Sequence, residues 1–210
     1  LGQPMHAFDL DKLDCEIVVR RGRADEKLVL LDESEVELNE DVLAICDASG
    51  PVAIAGIMGG LDSGVTGQTK DILFESAYFN PATIMGKARN FGMHTDASHR
   101  FERGVDPAGQ ELAVERATQL LIEIAGGEPG PLLVAEDIDH IPVNRAVRLR
   151  PGRLNKVIGC EIPRPTVDNI LHRLGMQVEQ DGDDWIVTAP SARFDIEIEE
   201  DLIEEVARIY

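Results

Sequence analysis

Short β-branched and aliphatic runs dominate the early part of the chain: 16–20 (Glu-Ile-Val-Val-Arg), 28–31, 42–46 and 52–57. Acidic, Asn- and Gly-bearing turns separate them, a pattern that predicts a compact, mainly β region. A further apolar run, 71–79 (Asp-Ile-Leu-Phe-Glu-Ser-Ala-Tyr-Phe), is interrupted by Glu75. Asn80-Pro81 then predicts a turn or helix entry, with the helix continuing through Lys87 and Ala88. From Asp106-Pro107 to Gly126-Gly127 the spacing becomes helical. Leu112, Ala113, Ala117, Leu120, Leu121 and Ile124 fall on one face, with Pro107 at the entry and Gly126 at the exit.

Between 127 and 144, Gly, Pro and acids surround Leu132-Leu133-Val134, which predicts a last strand followed by a linker. A second unit begins near Arg145: a strand (146–149), a short helix (153–158) and a second helix (165–174) with Thr166 as N-cap and Gly175 just past its end. A hairpin over 176–188 turns at Asp181-Gly182-Asp183 and carries the only tryptophan, Trp185. After Pro190-Ser191 a strand leads into a helix from about Ile198. Two helices and a two-stranded wing form the layout of a winged-helix-like module. The expected class is α/β of the α+β kind, a mixed-sheet domain over 1–140 followed by a small winged-helix-like domain, of the DNA-binding type, over 145–210.

Charge changes the functional picture. Lys and Arg total 20 against 39 Asp and Glu, a net charge of −19. Such a surface repels phosphate at long range, so the chain alone is expected to bind nucleic acid poorly. If it handles RNA, other domains or a partner must supply most of the attraction. The cysteines Cys15, Cys46 and Cys160 are odd in number and form no CxxC pair, which argues against a disulfide framework or zinc site and for a reducing compartment. With no signal peptide, basic transit segment or run of ~20 apolar residues, the expectation is a soluble cytoplasmic protein with no membrane partner. Leu1 falls inside a motif, and Ile209-Tyr210 lies on helical periodicity without a capping Gly, so a piece cut from a larger polypeptide is expected.

Five places concentrate candidate chemistry. Residues 92–107 pack His94, His99, Arg100, Arg103, acids and hydroxyls into one stretch with Thr95 or Asp96 as N-cap, a run that a core element cannot bury. Glu75 in its apolar strand is either a paired structural carboxylate or a polar anchor accepting a hydrogen bond from a ligand. Ala55-Gly-Ile-Met-Gly-Gly60 lacks both the GxGxxG spacing and the GK[ST] ending, which leaves a tight turn or a ligand-facing backbone wall. His6, after a proline that forces an extended approach, is a satisfied structural residue or a base. In the second unit, Asp201, Glu204 and Glu205 stand at i, i+3 and i+4, with Asp195 just before them. They make either an acidic first turn favoured by the helix dipole or a hard-oxygen set suited to Mg²⁺.

Five segments in this order are very specific together: Gly2-Gln-Pro-Met-His-Ala-Phe-Asp9, Ala55–Gly60, Phe74-Glu-Ser-Ala-Tyr-Phe79, Thr95-Asp-Ala-Ser-His-Arg-Phe-Glu-Arg-Gly-Val-Asp-Pro107, and Pro190-Ser-Ala-Arg-Phe-Asp195 followed by Glu200–Tyr210. Over essentially its whole length the chain resembles the β subunit of bacterial phenylalanine–tRNA ligases. One departure is Asp32-Glu33-Ser34, where the family usually reads Asp-Gly, a surface-turn change expected to be harmless.

The resemblance implies an editing domain that hydrolyses Tyr-tRNA(Phe). Glu75 would accept the tyrosine hydroxyl, His6 would position or activate water at the ester, and Gly59, Thr95 and Ala97 would wall the pocket. It also implies Mg²⁺ held through Asp195, Asp201, Glu204 and Glu205 near an α subunit, within an α2β2 heterotetramer that binds tRNA(Phe). The α subunit would carry the ATP-dependent aminoacylation. Two alternatives remain at this stage: a non-catalytic scaffold that docks the α subunit and shapes the tRNA path, and a free-standing trans-editing factor.

Overall fold

The structure, a computed structural model, describes residues 2–210. It combines several antiparallel sheets with helices in two compact units. One reaches to Val105 and takes in Gly109–Leu132; the other comprises Asp106–Ala108 and Leu133–Tyr210.

In the first unit the strands are β1 (Met5–Asp9), β2 (Val18–Arg21), β3 (Lys27–Val29), β4 (Glu35–Glu37), β5 (Leu43–Cys46), β6 (Pro51–Ile54), β7 (Met58–Gly59) and β8 (Ile72–Ser76). The helices are α1 (Pro81–Ile84), α2 (Lys87–Asn90), α3 (Asp96–Arg103) and α4 (Gln110–Ala125). A four-stranded antiparallel sheet has the order β2-β5-β6-β7, while β1 pairs with β8 and β3 with β4. Phe8, Ala44, Ile45 and Ile54 from the strands and Leu30 just past β3 are buried in one core, completed by Ile84 and Phe101 from the helices. The end of β1 is pinned at Asp9, a buried carboxylate that accepts from Thr69 Oγ1 at 2.6 Å, while its backbone N–H donates to Ser63 O at 2.9 Å.

Several expectations need correction. The helix expected through Lys87 and Ala88 is two short ones, because Gly86 between them takes φ +76°, outside helical space. β4 and β7 are too short to stand out in the sequence, and β1 starts just after Pro4. Helix α4 is displaced from its expected face. Ala113 is buried and Val114, Ala117, Leu121 and Ile122 are half-buried, whereas Leu112 and Ile124 are 57 and 83 % exposed. Helix α4 packs on β8, part of a two-stranded sheet, and that narrow support covers a single stripe of the helix. No strand forms at Leu132–Val134; Pro131 offers no N–H, and Leu133 is 83 % exposed.

The second unit holds β9 (Val147–Leu149), α5 (Pro151–Ile158), α6 (Arg164–Arg173), β10 (Gln177–Asp181), β11 (Asp184–Thr188) and α7 (Glu199–Ile209). Its antiparallel sheet has the order β10-β11-β9. Thr166 lies inside α6, whose N-cap is Pro163, so it is not the cap. The segment before α7 forms turns and not a strand. Trp185 on β11 is buried at the centre, among Leu149, Leu154, Leu171, Val187 and Leu202. Its Nε1 donates to Asp168 Oδ1 at 2.5 Å, and the Arg164 guanidinium lies 4.4 Å over its ring.

Phe8 is fully buried where β1 meets the core. Truncation to alanine leaves a cavity, so Phe8→Ala is expected to lower stability by about 3–5 kcal/mol in urea unfolding. A loss under 1 kcal/mol would contradict this packing.

Candidate active site

The antiparallel register of β1 with β8 sets His6 directly opposite Glu75. Opposed residues on such a pair project to the same face, so the imidazole and the carboxyl share one side of the ribbon. Phe8, two residues on, packs its ring edge-on against His6 with centroids 4.4 Å apart. On that side a cleft opens with about 380 Å³ of empty space including its mouth. Ile45, Ile54, Met58, Ala97 and Phe101 give it apolar walls, and His6, Gly59 and Glu75 also line it.

The Glu75 carboxyl makes no hydrogen bond or ion pair among the described residues. Burial alone pushes its pKa up to about 7. His6 Nε2 is buried and has no hydrogen-bond partner among the described residues. Burial also lowers the imidazole pKa, so the ring is neutral at pH 7 and keeps a lone pair for a proton. Two unpartnered polar groups in an apolar cleft cost stability unless a ligand or water engages them.

Gly59 is the contact that admits His6. A Cβ built there would overlap the imidazole, so no side chain fits without moving the ring. The alternatives for residues 55–60 merge: the segment is a tight turn after β6, and Gly56 and Gly59 also line the cleft. Thr95 stands one layer back. It caps α3, accepting from Ser98 N at 3.0 Å, and its Oγ1 donates to Ile57 O at 3.0 Å, holding a wall residue in place. The cleft therefore gathers His6, Glu75, Gly59 and Ala97 directly and Thr95 through Ile57. Phe101 was missed in the sequence, although it stands one turn after Ala97 on the same helix face.

The four carboxylates of the second unit are engaged separately. Arg193 binds Asp195 at 2.7 Å and Glu205 at 2.9 Å, and both carboxyl pKa values fall because of those hydrogen bonds. Asp201 Oδ2 accepts from the backbone N–H groups of Glu197 and Ile198, at the start of α7. Glu204 points to solvent and reaches Arg208 at 3.4 Å, while Glu205, its neighbour, is buried. Among the described residues no group of three or more His, Cys, Asp or Glu side chains converges as a metal would require. In this arrangement the donor set does not fit Mg²⁺, since Arg193 stands where the cation's charge would be needed.

Residues 1–126 match the family model of the B3/4 domain. The chain belongs to the B3/4 domain family. Behind the B3/4 match, residues 147–210 match the model of the tRNA synthetase B5 domain. The phenylalanine–tRNA ligase beta subunit of Xanthomonas campestris pv. campestris (strain 8004) is 57 % identical over 210 residues, all of this chain and 26 % of that protein. The beta subunits of Pseudoalteromonas translucida and Yersinia pestis are 57 % and 53 % identical, again over 100 % of this chain and 26 % of theirs. The B3/4–B5 chain thus spans about a quarter of the length of the curated relatives it matches. A crystal structure of an N-terminal fragment of the phenylalanyl-tRNA synthetase beta-subunit from Pyrococcus horikoshii is similar with a TM-score of 0.48 and 16 % identity, over 98 % of this chain and 60 % of that one.

Two measurements check this site. The folded-state pKa of Glu75 lies above its ordinary value of 4.5. Its contribution to stability is therefore fully present below about pH 4.5 and is lost as pH rises through about 7, on the order of 3 kcal/mol in all. In urea unfolding from pH 4.5 to 8, wild type should lose that much relative to Glu75→Gln; parallel curves would contradict the burial. In the B5 unit, EDTA or millimolar MgCl₂ should leave the thermal midpoint of the chain unchanged. Arg193→Met should lower that midpoint, because it strands two carboxylates. A midpoint raised by several degrees with Mg²⁺ would show that the cation displaces Arg193.

Proposed function

We propose that the B3/4 unit is an ester hydrolase that clears Tyr-tRNA(Phe), within the β subunit of a cytoplasmic phenylalanine–tRNA ligase. The observation that carries this reading is the unpartnered Glu75 carboxyl in an apolar-walled cleft, directly across the strand pair from His6. A synthesis site shaped for phenylalanine rejects an added hydroxyl weakly, so a second site that demands the hydroxyl supplies the missing selectivity. Glu75 accepts the phenolic O–H. Phenylalanine offers no donor there, and its entry leaves the carboxyl buried without a partner.

The chemistry needs no protein nucleophile. Water attacks the ester carbonyl, the C–O bond to the ribose breaks, and tyrosine and tRNA leave. Neutral His6 orients that water or takes its proton at Nε2, the atom that lacks a partner in the fold. In the 55–60 turn Ala55, Ile57 and Gly60 donate their N–H groups to the Leu43, Ile54 and Val52 carbonyls, which leaves the Gly56 N–H to stabilise the developing oxyanion. The ligase is an α2β2 assembly in which the α subunit uses ATP and phenylalanine, so this chain does not aminoacylate. Among the described residues no helix is long and apolar enough to cross a membrane.

The scaffold alternative predicts a cleft with no demand on its polar groups, and Glu75 separates the two. In the assembled ligase, Glu75→Ala is expected to lower the preference for Tyr-tRNA(Phe) over Phe-tRNA(Phe) roughly 10- to 150-fold, the equivalent of about 1.5–3 kcal/mol for a hydrogen bond to a charged group. Deacylation of both esters, with aminoacylation as control, measures it. Unchanged rate and selectivity would remove the hydrolase assignment and leave the scaffold.

A further inference from the structure

One stretch of this acidic chain, 76–103, carries four Lys or Arg against two acids, Asp96 and Glu102, and it includes the helix that walls the cleft. Between residues 76 and 95 there is no acid, while Lys87 and Arg89 stand on α2. Helix α3 then carries Arg100 and Arg103, with His99 on the same helix and His94 just before it. The His94 and His99 rings stand 5.8 Å apart. Arg103 is not paired with an acid; its Nη1 contacts His99 Nδ1 at 2.7 Å and donates to His99 O at 3.2 Å.

Arg100 is the residue closest to the chemistry. It is exposed, and its guanidinium makes no ion pair or hydrogen bond among the described residues. Its neighbours on α3, Ala97 one turn before and Phe101 next in sequence, both line the cleft. A Cβ built on Gly2 would lie 3.5 Å from Arg100 Nη1, and Pro4, two residues on, is also in the lining. The guanidinium therefore stands at the cleft rim, between α3 and the segment that leads into β1.

The cleft is small and open to solvent, so an aminoacyl group that enters it leaves the nucleotide that carries it outside. The phosphates next to that nucleotide meet a protein of net charge −19. Without local cations at the mouth the ester would be held off by the field of the whole chain. An unpaired guanidinium is suited to this position, because its planar fork matches phosphate geometry and is weakly hydrated.

We propose that Arg100, backed by Arg103 and His99, is the phosphate contact for the single-stranded 3′ end of the RNA whose aminoacyl group enters the cleft. This rests on the hydrolase reading above. Arg100 is a positioning residue: it touches the RNA backbone and not the ester, so it acts on substrate capture and leaves the bond-breaking step to His6 and the turn.

The test uses the assembled ligase with two substrates, Tyr-tRNA(Phe) and 3′-O-tyrosyl-adenosine, which carries the same ester and no phosphate. In Arg100→Gln the KM for Tyr-tRNA(Phe) should rise about 10-fold with kcat unchanged, as expected for a lost charge-assisted contact. The slope of log KM against log salt should shrink by about 0.7, one single-strand phosphate. Hydrolysis of tyrosyl-adenosine and the thermal midpoint should match wild type, and Arg100→Lys should recover part of the KM. An unchanged KM and salt slope in Arg100→Gln overturns the proposal while the hydrolase reading stands. Equal losses on both substrates also overturn it, by showing that Arg100 serves the cleft itself. A wild-type enzyme that cleaves neither ester removes the hydrolase reading, and this contact with it.

Discussion

The antiparallel pairing of β1 with β8 sets His6 opposite Glu75, and every other property of the cleft depends on that register. A slip of β1 by one residue would set Met5 or Ala7 opposite Glu75 and turn His6 to the other face. The molecule holds the register from both ends. Phe8 anchors β1 in the core, Asp9 ties its end to Thr69 and Ser63, and Gly59 leaves room for the imidazole. What is held is unfavourable in isolation: a carboxyl and an imidazole nitrogen out of water without partners. A fold that spends its packing to keep such a pair in place departs from the consistency of an ordinary core, and such departures mark functional positions.

The B5 unit treats its charges in the opposite way. Each of its four singled-out carboxylates meets a guanidinium or a backbone amide. Arg193 joins the turn before α7 to α7 itself, so its two carboxylates fasten an element and are not left open to solvent cations. The same residue types thus serve two ends. In the first unit an acid is kept unpaired and raised in pKa, and in the second acids are paired and lowered.

Much of this was legible in the chain where one local rule decides. A charge inside an apolar strand pattern marked Glu75, and the α3 cap was narrowed to Thr95 or Asp96, of which the structure takes Thr95. Asp181-Gly182-Asp183 marked the turn between β10 and β11. Where tertiary support decides, the pattern misled. The apolar stripe of α4 promised one buried face, but the ribbon beneath it is too narrow to cover Leu112 and Ile124. Leu132–Val134 has strand composition and no sheet edge to join. Gly86 splits a helix that neighbouring residues would have continued, and Pro163 displaces Thr166 from the cap of α6. The separate engagement of Asp195, Asp201, Glu204 and Glu205 was also hidden, because spacing on a helix cannot show that Arg193 reaches back to claim two of them.

The buried indole of the B5 unit gives the molecule an optical asymmetry. Trp185 is the only tryptophan of the chain, and the first unit has none. Its environment combines an apolar cage, the Asp168 carboxylate on Nε1 and the Arg164 cation over the ring. Indole emission is sensitive to all three, so fluorescence follows the melting of one unit alone, while far-ultraviolet dichroism sums over both. Non-coincident curves from the two probes would then describe a molecule whose halves let go separately, and coincident ones a molecule that unfolds as a single cooperative body.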